Sequence, residues 1–492
     1  MSAPSLPPRW RIFGFAVAGL LAGSLWLRYT APAAPRPPVA APPPPSVAVR
    51  PFLTLGPDTT AAALGPAIAA ELVDAMGRVP GLRVADPLSV RAAARRSGDP
   101  REIGRRLGVG AVLEGSIRIA GDRLRLTTHL VSVDQGFDLW SETFDQPAAE
   151  LLPVRDSIAR SVVSTLRPAA RLPAAATTPP AAFLAYLRGR EALAGRAADD
   201  VESATAAFTE ALRLDSTYAP AWSGLAEARV RELEAGVRAP AEAAEAARAA
   251  ADRALVLDSL DVRALLARGA VRMLYDRAWS AAREDLRRAA ALEPGHPASE
   301  HRLSHLFLAE GQLDSSLAAS RAAIADSPLD AALRVHLGWH YAMAGNDSLV
   351  RAALAGAGAL EGVPVTDEHA PLLLEATGDS LAAGRLAQAV AEAPERLDLL
   401  AELARLHALA GRADTARAIL ARMQGLADAR YVSPYAVALV HAALGDTRPA
   451  IAALDRALRE GDPAVLQLWL DPRLAQLRRD PRFAGLAHRL AR

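Results

Sequence analysis

The chain has 492 residues, too many for one ordinary domain, and its 56 basic and 55 acidic residues leave a formal net charge of +1. That balance excludes a nucleic-acid binder held by bulk electrostatics. Neither lysine nor cysteine occurs, which excludes a P-loop, a protein kinase, Schiff-base and thiolate chemistry, disulfides, zinc ribbons and a lipid-modified cysteine.

In chain order, the first feature is Ile12 to Leu27, a run of 16 residues without a charge, with Trp10 and Trp26 near its ends and Arg9 and Arg11 at its amino-terminal side. A spanning helix needs about 20 apolar residues. Tryptophan favours the membrane interface, and arginine favours the cytoplasmic side. Residues 10–29 are therefore expected to form one N-terminal transmembrane helix, with residues 1–9 as a short cytoplasmic tail and the bulk of the chain exported. A cleaved signal peptide is the competing reading, because Ala31-Pro32-Ala33 resembles a small-residue cleavage site. Residues 30–45 are proline-rich and read as a semi-rigid linker.

Residues 46–167 read as a small mixed α/β domain. Ser46 to Leu55 is a buried-strand pattern, and Thr60 to Val79 carries apolar residues at helical spacing. Gly81 to Asp86 reads as a second strand and Pro100 to Gly108 as a short helix stopped by its glycine. From Val112 to Ser132 the text is VLEGSIRIAGDRLRLTTHLVS. Apolar and polar residues alternate on both sides of Gly121-Asp122, the pattern of a β-hairpin. Phe137 to Asp145 is a further strand, and Leu151 to Leu166 a closing amphipathic helix. Glu114, Glu142 and Asp145 read as solvated partners of Arg118, Arg123 and Arg125 across the sheet, not as acid–base catalysts.

Pro51-Phe52, Arg101-Glu102-Ile103-Gly104, Leu113-Glu114-Gly115-Ser116, Gly121-Asp122 and Leu139-Trp140-Ser141-Glu142 carry a resemblance. Over Ser46 to Leu166 the chain resembles the TolB amino-terminal-like (FlgO-like) domain. The resemblance implies a bacterial envelope or signalling protein in which this domain precedes helical repeats. Relatives of that type often place a kinase, cyclase or DNA-binding module before the membrane helix. Only residues 1–9 precede the anchor here, so no effector module is expected on this chain.

After a linker at 168–180, residues 181–492 read as helix throughout. Gly311, Gly345, Gly378, Gly411 and Gly445 recur at intervals of 34, 33, 33 and 34 residues, each at a helix end and each followed by another apolar-periodic run. A helix–turn–helix unit at that period is the tetratricopeptide signature. Leu337-Gly338-x-x-Tyr341, Trp222-x-x-Leu225 and Ala204-x-x-x-Phe208-x-x-Ala211 agree with it, as do Pro294 and Pro328 at helix ends. About eight repeats are expected, with longer loops near Gly195, Gly236 and Asp276 and a terminal cap at Asp471 to Leu490. The fold class is thus mainly α: an α-solenoid of tetratricopeptide helix pairs, preceded by the α/β domain and one transmembrane helix.

Stacked pairs form a concave groove lined by the first helix of each pair. With Val262, Pro297 and Ala331 as first positions, the residues expected to face it include Leu266, Met273, His301, His305, Leu308, Val335, Trp339 and Met343. His301/His305 and His336/His340 are each spaced i, i+4, as zinc ligands on one helix face are. Neither pair carries the glutamate of a zinc protease motif, and His336 and His340 fall where a neighbouring helix is expected. No metal, cofactor or catalytic residue is therefore expected. The function these features point to is an inner-membrane, single-pass scaffold with its bulk in the periplasm, holding a protein or peptide partner in the repeat groove and no nucleic acid. The alternative is a periplasmic ligand sensor relaying to a separate cytoplasmic kinase or cyclase.

Overall fold

The computed structural model describes residues 45–55, 59–172, 178–194, 198–358, 382–394, 396–427 and 430–490. The expected anchor at 10–29, all but the last residue of the linker at 30–45 and the repeat turn at Gly378 lie outside the described residues. Among the described residues no helix is long and apolar enough to cross a membrane.

The α/β region holds six strands: β1 (Ser46–Val49), β2 (Leu53–Thr54), β3 (Arg83–Val84), β4 (Ala111–Ala120), β5 (Arg123–Ser132) and β6 (Asp138–Pro147). Their order is β3-β1-β4-β5-β6, with β2 pairing to β4 beyond the end of β1. β1 runs parallel to β3 and β4, whereas β4, β5 and β6 form an antiparallel meander. The hairpin closes as the sequence predicts: Ala120 pairs with Arg123, leaving the two-residue turn Gly121-Asp122. Asp145 pairs with Arg123 across the sheet as expected, while Glu114 turns to Arg50 instead.

Four helices belong to this region: α1 (Thr59–Gly77), α2 (Pro87–Arg96), α3 (Pro100–Leu107) and α4 (Leu151–Leu166). Successive strand residues face opposite sides, so Val47, Val49 and Leu113 meet α1 and α4 while Ala48 and Val112 meet α2 and α3. The sequence reading passes over α2. Its local signals are nevertheless present: Asp86 accepts a hydrogen bond from the Ser89 amide at 2.8 Å, and Pro87 occupies the first turn, where its missing N–H costs nothing.

From Pro180 the chain forms antiparallel helix pairs: α5/α6 (Pro180–Leu193, Ala198–Leu214), α7/α8 (Ala219–Glu234, Pro240–Leu257), α9/α10 (Val262–Leu274, Trp279–Leu292), α11/α12 (Pro297–Ala309, Leu313–Asp326) and α13/α14 (Ala331–Met343, Asp347–Gly358). Among the described residues helix α15 (Ala382–Glu392) comes next, followed by α16/α17 (Leu397–Leu409, Ala413–Gly425) and α18/α19 (Pro434–Ala443, Thr447–Glu460). The extra residues of the first repeats lie partly in longer helices, α6 to α8, and not only in loops. A 3₁₀ segment (Pro472–Arg479) and α20 (Pro481–Leu490) close the end, burying Leu474, Leu477, Phe483 and Leu486 against α18 and α19.

The glycine spacing has a backbone cause. Gly311, Gly345, Gly411 and Gly445 all sit at positive φ, between 68° and 79°. At each, the following amide bonds to a carbonyl five residues earlier, as Gln312 N–H does to Phe307 and Asp446 N–H to His441. That is the Schellman closure, which requires a left-handed residue. Nothing lies within 4 Å of where a Cβ would stand at these four glycines, so the dihedral and not space selects them. The α9/α10 turn is one residue longer and lacks the glycine; Arg277 takes φ 56° there, and the Ala278 amide bonds to the Arg272 carbonyl six residues earlier.

The sheet and the first repeats share one apolar core. Val47, Ile68, Leu72, Leu126 and Ile158 are continuous with Phe183, Tyr186, Phe208 and Tyr218. Phe208 is bracketed by Gly189 and Gly224, where a Cβ would stand 2.6 and 2.5 Å from ring carbons. Replacing Phe208 by alanine should therefore cost about 3–5 kcal/mol. Urea denaturation of the wild type and the variant measures it, and a loss below about 1 kcal/mol would place the ring outside the cooperative core.

Candidate functional site

The first helices of successive pairs pack on one another, α5 on α7, α7 on α9, α9 on α11 and α16 on α18. They therefore form the inner, more crowded wall of the superhelix. Helices α9, α11 and α13 begin at Val262, Pro297 and Ala331, the positions from which the groove residues are counted. Leu266 and Met273 are buried in a cluster with Val271 and Leu306. Leu308, Val335, Trp339 and Met343 are buried in the next cluster along, while His301 and His305 are half-buried. His340, also expected to face a neighbouring helix, is fully buried, with Ser316 Oγ of α12 at 2.7 Å from its Nδ1.

A segment from the chain's own carboxy-terminal part also packs on these clusters. A 3₁₀ turn, Pro463–Gln467, lies against α11. Leu466 packs on the α9–α11 cluster and Leu470 on the cluster that holds Leu308 and Trp339. Val465 and Leu468 belong instead to the core of the last repeat. Trp469 stays 44% exposed. The closure is fastened at its margin, where Arg277 Nη2 donates to the Leu458 carbonyl at 3.1 Å and the Tyr275 ring lies against Gly461. The sequence reading assigns no role to residues 461–470. Their short 3₁₀ turn leaves no periodicity long enough to be read.

A second constellation, also absent from the sequence reading, joins the α/β region to the repeats. The Tyr186 hydroxyl donates to Glu71 of α1 and accepts from Arg263 Nη1 of α9 at 2.9 Å. Arg263 also pairs with Asp74 at 3.1 Å, Arg190 with Asp74 at 3.3 Å and Arg155 with Glu71 at 3.5 Å. The contact continues along the turns between repeats. Arg78 meets Asp258 at 3.0 Å, and Ser327 Oγ reaches Asp86 at 2.6 Å and Ser89 at 2.8 Å. Burial by itself would raise the Asp74 carboxyl, but Arg263 and Arg190 hold it below the usual carboxylate range. Burial pushes the Tyr186 phenol far above its ordinary value, with Glu71 and Asp74 adding to the rise. These pairs join α1 and α2 of the α/β region to the first helices and turns of the repeats.

No protein-family model matches this chain. Over 134 residues it is 33% identical to the Rhizobium meliloti protein "Putative adenylate cyclase 3", a stretch that is 27% of this chain and 23% of that protein. The chain thus spans less than a quarter of the length of that curated relative. Solved structures similar to it include PilW, a type IV pilus biogenesis factor (17% identity, 44% of this chain and 96% of that one, TM-score 0.34). Pseudomonas aeruginosa PilF (16%, 44% and 95%, TM-score 0.32) and YrrB, a tetratricopeptide protein with an unusual peptide-binding site (22%, 39% and 92%, TM-score 0.26), are others. At these scores the tetratricopeptide class rests on the helix pairs and Schellman turns of the chain itself.

Two measurements probe the junction. Arg263→Ala removes one partner each from the half-buried Asp74, the buried Glu71 and the Tyr186 hydroxyl and should cost about 1–3 kcal/mol in urea denaturation. The pH dependence is set by direction. The Asp74 value is lowered on folding, so its contribution is complete above about pH 4 and is lost as pH falls through the folded value. The Tyr186 value is raised, so its contribution is complete below about pH 10 and is lost as pH rises through the folded value. The stability difference between wild type and Asp74→Asn should therefore be constant above about pH 4 and shrink below it. A difference that grows on acidification contradicts the assignment.

Proposed function

We propose that this chain is an envelope scaffold whose repeat superhelix binds a protein or peptide partner along its inner wall. In this reading residues 10–29 anchor the chain in the inner membrane by a single pass and residues 30–45 act as a spacer. A TolB amino-terminal-like domain at 46–167 then sits in the periplasm, clamped to the turn edge of the repeats. The observation that carries the reading is the segment Pro463–Leu470. The inner wall of α9 to α13 already accommodates a polypeptide, anchored by the leucines of a short turn. A partner with similarly spaced apolar side chains would compete for that surface.

Site-specific photo-crosslinking in membranes tests this. A crosslinker at His305, on the inner wall, should give partner adducts that increase when Leu466 and Leu470 are changed to aspartate. The same crosslinker at Arg287, exposed on an outer helix, should give none. Equal adducts from both positions, or none from His305 in either background, would remove the groove reading.

The sensing alternative is favoured by one finding, the similarity to a protein named as an adenylate cyclase. In that reading the α/β region binds a ligand and the rigid junction passes the signal to a separate cytoplasmic effector. Cyclic AMP in the source cells would then change on deletion of residues 46–167; an unchanged level counts against it.

A further inference from the structure

We propose that His301, His305 and His336 form a binding site for one divalent d-block cation of the zinc type. The proposal does not depend on what the groove binds. His301 and His305 stand one turn apart on α11, which places both imidazoles on one face. His336 comes from α13, the first helix of the next pair. The ring centroids are 4.7 Å apart for His301–His305, 4.5 Å for His301–His336 and 5.5 Å for His305–His336. One ligand nitrogen from each ring lies within 4.8 Å of the other two. Among the described residues this is the one grouping of three histidine or carboxylate donors at metal-bridging separation.

Zinc–imidazole bonds of 2.0–2.1 Å put the nitrogens of a tetrahedral site about 3.3 Å apart. The gap from 4.8 Å is closed by side-chain rotation, with both helices left where the Schellman turns and the repeat core fix them. Two neighbours flank the His305 ring. The Trp339 indole stacks on His305 at 5.4 Å with 26° between the planes, and the buried His340 meets His305 edge-on at 5.4 Å. His340 is itself held by Ser316. All three donor histidines are half-buried, which leaves a path to solvent.

An all-imidazole donor set selects zinc, copper, nickel or cobalt over magnesium and calcium, which require oxygen ligands. The chain has no cysteine, so no thiolate competes for such an ion. Three protein ligands leave a fourth tetrahedral position for water or for a donor atom from outside. The site also crosses the boundary between α11/α12 and α13/α14, so a bound ion would staple two adjacent repeats. Spacing along the sequence pairs His301 with His305 and His336 with His340, which is why it stops short of this set. Packing exchanges the second pair, sending His340 to Ser316 and His336 to the first pair.

The test uses the purified full chain, stripped with a chelator and titrated with zinc chloride in a calorimeter. One saturable site per chain is expected. His305→Ala and His336→Ala should each weaken it by at least about tenfold, since even loss of a supporting outer group costs roughly 10–100-fold. His129→Ala, on an exposed strand position of the α/β region, should bind as the wild type does. Zinc should also raise the melting temperature of the wild type and not that of His305→Ala. If His336→Ala melts early without metal, the half-buried His301→Gln is measured in its place. Absence of a one-to-one site in the wild type, or unchanged affinity in the ligand variants that fold, overturns the proposal.

Discussion

The Tyr186 hydroxyl, held between Glu71 and Arg263, fixes how the two halves of the molecule meet. Around it the sheet core runs without a break into the first repeat through Phe183 and Phe208. Removing charges from water is costly, and a buried pair returns that cost only when its geometry is good. Here each carboxylate has more than one guanidinium or hydroxyl partner, so the network fixes a single docking position. The α/β region is thereby laid along the edge made by successive inter-repeat turns, from Asp258 to Ser327, and does not hang from a tether.

Elements governed by local rules were legible in the sequence. The Gly121-Asp122 hairpin, the Gly108 stop, the Schellman glycines and the helix-ending Pro294 and Pro328 each need only a few neighbouring residues to define them. Helix α2 carried its signals, Asp86 and Pro87, but its ten residues give too short an apolar pattern to be separated from the loop before α3. What stayed hidden was non-local. No periodicity brings Tyr186 to Glu71 or Leu466 to α9, and no spacing rule sends His336 to His301 while sending its neighbour His340 to Ser316. These pairings are fixed by how far each repeat rotates on the one before it, which the sum of many side-chain contacts determines.

The inner wall combines two properties of recognition surfaces. It is apolar, with Leu308, Val335 and Trp339 in one cluster, and it is rimmed by half-buried imidazoles. Its central part is covered by a segment that divides its side chains between two cores, Val465 and Leu468 to one and Leu466 and Leu470 to the other. For the proposed scaffold, this arrangement would keep the apolar lining from water when no partner is present.

The α9/α10 turn is made differently from its counterparts. Five described turns place glycine at a left-handed position, at Gly236, Gly311, Gly345, Gly411 and Gly445, whereas this one has Arg277 at positive φ, at roughly 1–2 kcal/mol of backbone strain. The same arginine reaches across to the Leu458 carbonyl, where the last repeat closes over the wall. One residue thus serves both the turn and the closure, so a substitution at Arg277 would alter the two together.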